Sequence, residues 1–258
     1  MKTPQSSRFY PLPCMLTCTS LFSGFYSIIA SINGNFYPAA IAILVAGIFD
    51  GLDGRVARMT GSTSRFGMEL DSLCDLVSFG VAPALLAYLW ALTPYGRYGW
   101  LAAFLYVATT ALRLARFNSM AEETDKKHHD FVGLPCPAAA GAIATIVMFC
   151  RFLGATETVK HLSILLMVYL LSYLMVSTHR YLSFKKVKIP REKRFQIVVS
   201  MILLLILLAT EPPITLFAAV LFYVLSGPLL DLYAWTVKKR NKKEEMLPKK
   251  NTPPEQQT

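Results

Sequence analysis

Charge is scarce in this chain. Only 16% of its 258 residues are Asp, Glu, Lys or Arg, against 54% hydrophobic residues, and the mean hydropathy is +0.43. A soluble domain of this length needs a far more polar surface, so the composition points to a membrane. Histidine is rarer still, at four residues, and the five cysteines are odd in number. Cys14, Cys18, Cys74, Cys136 and Cys150 are scattered through apolar segments without metal-ligand spacing, which argues against a disulfide framework and a structural zinc site. His128 and His129 in a charged loop, and His179 at a span end, read as surface residues. No nucleophile stands in a setting that favours a covalent intermediate. Internal repeats and a low-complexity core are also lacking.

What is present is a series of apolar runs. A helix needs about 20 such residues to cross the hydrocarbon core. Eight stretches qualify, near 12–32, 35–53, 70–92, 98–117, 134–153, 160–178, 194–210 and 213–236. The expected fold is all-α, an integral membrane protein of about eight transmembrane helices. The first run, preceded by Lys2 and Arg8, is long and followed by further spans, so it reads as a retained helix and not as a signal peptide. Prolines at 11 and 13, 135 and 137, and 212 and 213 fall where spans begin or end. A membrane domain over 1–237 is expected, with a basic, disordered cytoplasmic tail over 238–258 that has almost nothing to bury.

The net charge of +10 could suggest nucleic acid, but its distribution follows topology. All of the 26 Lys and Arg residues except Arg97, Arg151 and Lys160 fall at the N-terminus, in alternate connections, or after Val237. The positive-inside rule applied to eight spans then puts both termini and the basic loops in the cytoplasm, where they attract anionic head groups. No nucleic-acid partner is expected.

The segment from Asp50 to Gly80, DGLDGRVARMTGSTSRFGMELDSLCDLVSFG, carries the candidate chemistry. Carboxylates at membrane depth are costly and commonly functional. At about 100° per residue on a helix, Asp50, Asp53, Gly54 and Ala57 fall within one arc with Arg58 at its edge. Gly67, Asp71 and Asp75 recur every four residues on the next span. Helices packed through these small residues bring four carboxylates together, and such a group needs a cation or a proton to offset its repulsion. Hard oxygen ligands favour Mg²⁺ or Mn²⁺, and room for a diphosphate suggests two ions per site. Arg58 and Arg65 supply positive charge for phosphate. The plain alternative is that the aspartates cap helices and pair with Arg55, Arg58 and Arg65. Four of them on two adjacent spans, with small residues on the same faces, weigh against it.

This spacing resembles the signature of the CDP-alcohol phosphotransferase family, D-x-x-D-G-x-x-A-R, eight residues, then G-x-x-x-D-x-x-x-D. It is filled here by Asp50, Asp53, Gly54, Ala57, Arg58, Gly67, Asp71 and Asp75. The resemblance implies that Asp50, Asp53 and Asp71 hold metal, and that Asp75 shares a metal and acts as base for an incoming hydroxyl. It also implies that Asp53, Gly54, Ala57, Arg58 and Gly67 line the site for a CDP-linked lipid, and that the protein is a homodimer. The family's first span often opens Pro-Asn; here the stretch is Pro13, Cys14, Met15, Leu16, Thr17, so an amide is missing, though Thr17 can still face the nucleotide.

Two further runs, Ala111 to Asn118 (ALRLARFN) and Phe131 to Ala140 (FVGLPCPAAA), resemble the phosphatidylserine synthase branch of that family. They imply CDP-diacylglycerol and L-serine as substrates, with phosphatidylserine and CMP as products, at an active site facing the cytoplasm from the inner (cytoplasmic) cell membrane. The physical reading agrees in kind. A zwitterion needs a cation for its carboxylate, which Arg113 and Arg116 can supply, and hydrogen-bond partners, which Asn118 and the backbone of Gly133 to Pro135 can supply. Snorkelling arginines and a plain helix start are the bland counterparts. Glycerol 3-phosphate or inositol phosphate as acceptor would call for a denser basic pocket. A cation transporter would call for paired broken helices, and a scaffold leaves the aspartates unexplained.

Overall fold

The computed structural model describes residues 11–61, 64–123, 133–154, 162–177 and 194–245. Among them there is helix and no strand. The histidines His128, His129 and His179, the N-terminal basic residues and most of the basic stretch between Arg180 and Arg194 lie outside the described residues.

The helices are α1 (Pro11–Ile32), α2 (Phe36–Met59), α3 (Arg65–Asp75), α4 (Ala82–Ala87), α5 (Arg97–Glu123), α6 (Cys136–Phe152), α7 (Leu162–Val176), α8 (Arg194–Thr210) and α9 (Pro212–Glu245). Four stretches are long and apolar enough to cross a membrane: Pro13–Ile32, Phe36–Met59, Arg65–Tyr95 and Pro212–Leu229. The third is one rod from α3 through α4, with wide π-helical turns at Leu76–Val81 and Tyr88–Leu92. Cys136–Phe152, Leu162–Val176 and Val198–Leu207 are shorter apolar helices.

The side-chain pattern is inside out relative to a water-soluble bundle. Phe22, Phe25, Phe104, Leu166, Leu205 and Phe222 face outward, whereas Ser20, Ser31, Thr110, Thr145 and Ser172 are buried. A hydroxyl inside a helix can bond to the carbonyl one turn back. Ser31, Thr110, Thr145 and Ser172 do so onto Ser27, Tyr106, Gly141 and Val168, at 2.7–2.8 Å. With these four hydroxyls satisfied within their own helices, they can be buried while the outer face stays apolar.

Helices pack through small residues because close backbone approach replaces the hydrophobic drive that lipid removes. On α2, Ala39, Ala42 and Ala46 are buried, and α1 docks on them: Ser20 donates to the Ala46 carbonyl and Ser23 to that of Ala42, each at 3.0 Å. The third span meets α1 more closely still. A Cβ on Gly24 would lie 2.7 Å from Cα of Ser78, so only glycine admits this contact, and the Ser78 hydroxyl donates to the Ser20 carbonyl. One serine of α1 therefore ties α2 one turn before Asp50 to the third span one turn after Asp75. Behind this seam lie Phe79, Leu86, Trp90, Tyr106 and Ile143.

The second helix continues past the apolar stretch to Met59, so Gly54, Ala57 and Arg58 lie on the same helix as Asp50 and Asp53, as their spacing requires. One element end differs from the sequence expectation. The last helix continues to Glu245, eight residues into the expected disordered tail, where the run Lys238 to Glu245 is built mainly of strong helix formers.

Candidate active site

Asp50 and Asp53 sit one turn apart within α2, and Asp71 and Asp75 one turn apart on α3. The entry of α3 is fixed by Ser64, whose hydroxyl accepts the Gly67 amide at 3.0 Å as an N-cap. Packing through the small faces brings the carboxylates together as the helical spacing requires. One oxygen each from Asp50, Asp53 and Asp71 lies within 4.8 Å of the others, and the Asp75 carboxyl meets that of Asp50 at hydrogen-bonding range.

The donor set fits a hard divalent cation. Three carboxylate oxygens converge in a partly buried place, Asp53 is only 5% exposed, and Oδ1 of Asp71 is buried with no hydrogen-bond partner. A ligand oxygen left unpaired beside two other carboxylates is costly unless a cation offsets it. The Thr17 hydroxyl reaches this cluster, donating to Oδ2 of Asp53 at 2.8 Å and also contacting the Pro13 carbonyl at 3.1 Å. Thr17 thus orients a cluster carboxylate from α1.

Beside the cluster opens a cleft of about 280 Å³ lined by Asp50, Arg65, Met68, Glu69, Asp71, Ser72, Asp75, Arg113, Leu114, Phe117, Asn118, Pro135 and Pro137. Asp75 and three of the acceptor-site candidates, Arg113, Asn118 and Pro135, therefore share one cavity. Arg113 donates from Nη1 to Sγ of Cys136 at 3.2 Å, while its Nε is buried with no partner. Asn118 is bracketed against α3: its amide nitrogen donates to Ser72 at 3.0 Å and to Glu69 at 3.4 Å, and Ser72 donates to its carbonyl oxygen at 3.2 Å.

Arg65 also lines the cleft, whereas Gly54, Ala57, Arg58, Gly67, Arg116 and Gly133 lie outside its lining. Arg58 folds back on α2, with a guanidinium nitrogen 3.7 Å from where a Cβ on Gly54 would stand. Ala57 and Gly67 are half-buried on the two facing helices, and Arg116 is half-buried on α5. Gly133 has a structural reason for being glycine. Its φ is +85° and a Cβ there would lie 2.6 Å from the Met175 carbonyl, where the turn into α6 is held to α7 by the Leu134 amide donating to the Leu174 carbonyl at 3.0 Å. Glu69, Ser72 and Phe117 were not singled out from the sequence. Spacing offered a signal: Glu69, Ser72 and Asp75 recur every three residues on α3, and Phe117 lies four after Arg113 on α5.

The CDP-alcohol phosphatidyltransferase family profile matches residues 10–169. The chain is similar to the CDP-diacylglycerol–serine O-phosphatidyltransferase of Helicobacter pylori, 41% identical over 179 residues, which are 69% of this chain and 75% of that one. It is also similar to the protein of the same name from Bacillus subtilis, 35% identical over 68% of this chain and 92% of that one. A third relative is the archaetidylserine synthase of Methanothermobacter thermautotrophicus, 37% identical over 70% and 73%.

Proposed function

The chain belongs to the CDP-alcohol phosphatidyltransferase family, and on that premise we propose that it transfers the phosphatidyl group of CDP-diacylglycerol to the hydroxyl of L-serine, giving phosphatidylserine and CMP. The observation that carries this reading is the shared cavity: the aspartate cluster forms one wall, and Arg113, with a buried and unpartnered Nε, forms the other. Relatives bearing the serine transferase name support the choice of acceptor.

Asp50, Asp53 and Asp71 are the residues to hold a divalent ion, with Asp75 shared with a second. Held by these residues, Mg²⁺ or Mn²⁺ would supply positive charge against the diphosphate and the departing CMP. Arg58 and Arg65 add positive charge for phosphate, and Gly54, Ala57 and Gly67 leave room on the facing helices for the nucleotide. Thr17 holds Asp53 in orientation. Arg113 takes the serine carboxylate, with Arg116 adding positive field, and Asn118 and the backbone from Gly133 to Pro135 fix the rest of the acceptor. Asp75 accepts the hydroxyl proton as the serine oxygen attacks the phosphorus bearing diacylglycerol, and CMP leaves. Direct displacement needs no protein nucleophile. Positioning and charge neutralisation supply most of the rate, as in other phosphoryl transfers.

Eight spans with both termini and the active site on the cytoplasmic side of the cell membrane suit the distribution of Lys and Arg. The membrane part ends near Val237 and a basic extension follows. A homodimer completes the proposal, with the acyl chains of the donor remaining in the bilayer. The test is CMP release from CDP-diacylglycerol by the purified protein with Mg²⁺ or Mn²⁺, offering L-serine, glycerol 3-phosphate and inositol phosphate separately. Release with serine supports the reading, and release with a phosphate-bearing alcohol alone rejects it.

A further inference from the structure

Beyond the groups given roles above, the cleft is lined by one more charged side chain, that of Glu69 on α3. It is exposed, stands outside the group of three converging aspartates, and receives a hydrogen bond from Asn118 at 3.4 Å. Asn118 is itself held by Ser72 in both directions, so the α5 side chain that steadies Glu69 is fixed to the same helix. Arg113 lines the cavity from α5 and brings an unpaired buried N–H. The cavity thus presents a cation and a separate carboxylate, in addition to the catalytic cluster.

A neutral or phosphorylated alcohol has no use for that extra carboxylate, whereas an acceptor with an ammonium group does. Resting on the serine reading above, we infer that Glu69, steadied by Asn118 and Ser72, binds the acceptor's ammonium and so sets selectivity for an amino alcohol. Glu69 and Asp75 are six residues apart on one rod and line the same cavity, so one acceptor can meet both, its ammonium at Glu69 and its hydroxyl at Asp75, each through a charge-assisted hydrogen bond. The same carboxylate repels a phosphate-bearing acceptor, so attraction for one class and rejection of the other come from one residue.

The experiment compares full-length wild type with Glu69→Gln and Glu69→Asp, measuring the KM for L-serine, the KM for CDP-diacylglycerol and kcat. It also measures the inhibition constant of 3-hydroxypropanoate, which is serine without its amine. Glu69→Gln should raise the serine KM by about 10- to 100-fold, the size of a lost hydrogen bond to a charged group. The kcat, the lipid KM and the 3-hydroxypropanoate constant should hold, and Glu69→Asp should recover part of the serine affinity. A serine KM that does not move, or that moves by the same factor as the 3-hydroxypropanoate constant, overturns the inference and leaves the serine reading standing. Failure of the wild type to use serine at all removes both.

Discussion

The two walls of the cleft are built in opposite ways. The aspartate wall comes from two consecutive helices, with every carboxylate inside a 26-residue stretch from Asp50 to Asp75 and each placed by one turn of helix. The opposite wall gathers Arg113 and Asn118 from α5 and Pro135 and Pro137 from the start of α6, and it reaches the first wall through a hydrogen-bonded bracket at Asn118. Chemistry is encoded locally here, while selectivity depends on how distant segments meet. The first wall should therefore govern turnover with any acceptor, and the second should govern which acceptor binds.

The largest expected effect tests the first half of that contrast. Asp75→Asn should lower kcat by about 10²- to 10⁴-fold, the usual contribution of a positioned general base, with every acceptor alike, as measured by CMP release. A loss confined to serine would erase the distinction between the walls. Arg113→Ala tests the second half: the serine KM should rise by about 10- to 100-fold while the KM for CDP-diacylglycerol stays in place, read from initial rates at varied concentrations of each substrate.

A smaller effect separates orientation from ligation within the first wall. Thr17→Val keeps the shape but removes the hydroxyl that donates to Asp53 at 2.8 Å. The metal concentration for half-maximal activity should rise by about tenfold, as expected for one hydrogen bond to a charged group, with saturating metal restoring most of the rate. The smallest effect concerns the frame. Gly24→Ala introduces a Cβ 2.5 Å from Oγ and 2.7 Å from Cα of Ser78, and overpacking of this kind costs about 1–3 kcal/mol. A lower melting temperature in detergent should accompany a rate loss shared by all acceptors, because Ser78 lies less than one turn beyond Asp75.

The contrast also explains what could be read from the sequence. Helical spacing alone placed Asp50, Asp53, Asp71 and Asp75 on facing surfaces, because i, i+3 and i, i+4 positions share a face whatever the partner helix does. Thr17 was singled out by the family resemblance of the first span, and its contact with Asp53 depends on how α1 packs against α2. Glu69 and Ser72 were hidden in plain view: they precede Asp75 by six and three residues on α3, but their role appears only once α5 brings Asn118 against them. The need for glycine at 133 was not legible, because it comes from the close approach to Met175, a neighbour 42 positions away in sequence. The π-helical turns from Leu76, where Ser78 meets Gly24 of α1, were beyond any reading at a constant 100° per residue. The extension of α9 to Glu245 ran against the polarity of that segment, where helix propensity prevailed.

The most direct test of the central claim is the fate of labelled serine. Purified protein in CDP-diacylglycerol micelles with Mn²⁺ is given L-[¹⁴C]serine, and label entering the chloroform-soluble lipid is compared with CMP released. The expected result is equal amounts of the two, with both abolished by chelation of the metal. CMP release without label in lipid, or label transfer that persists under chelation, would contradict it.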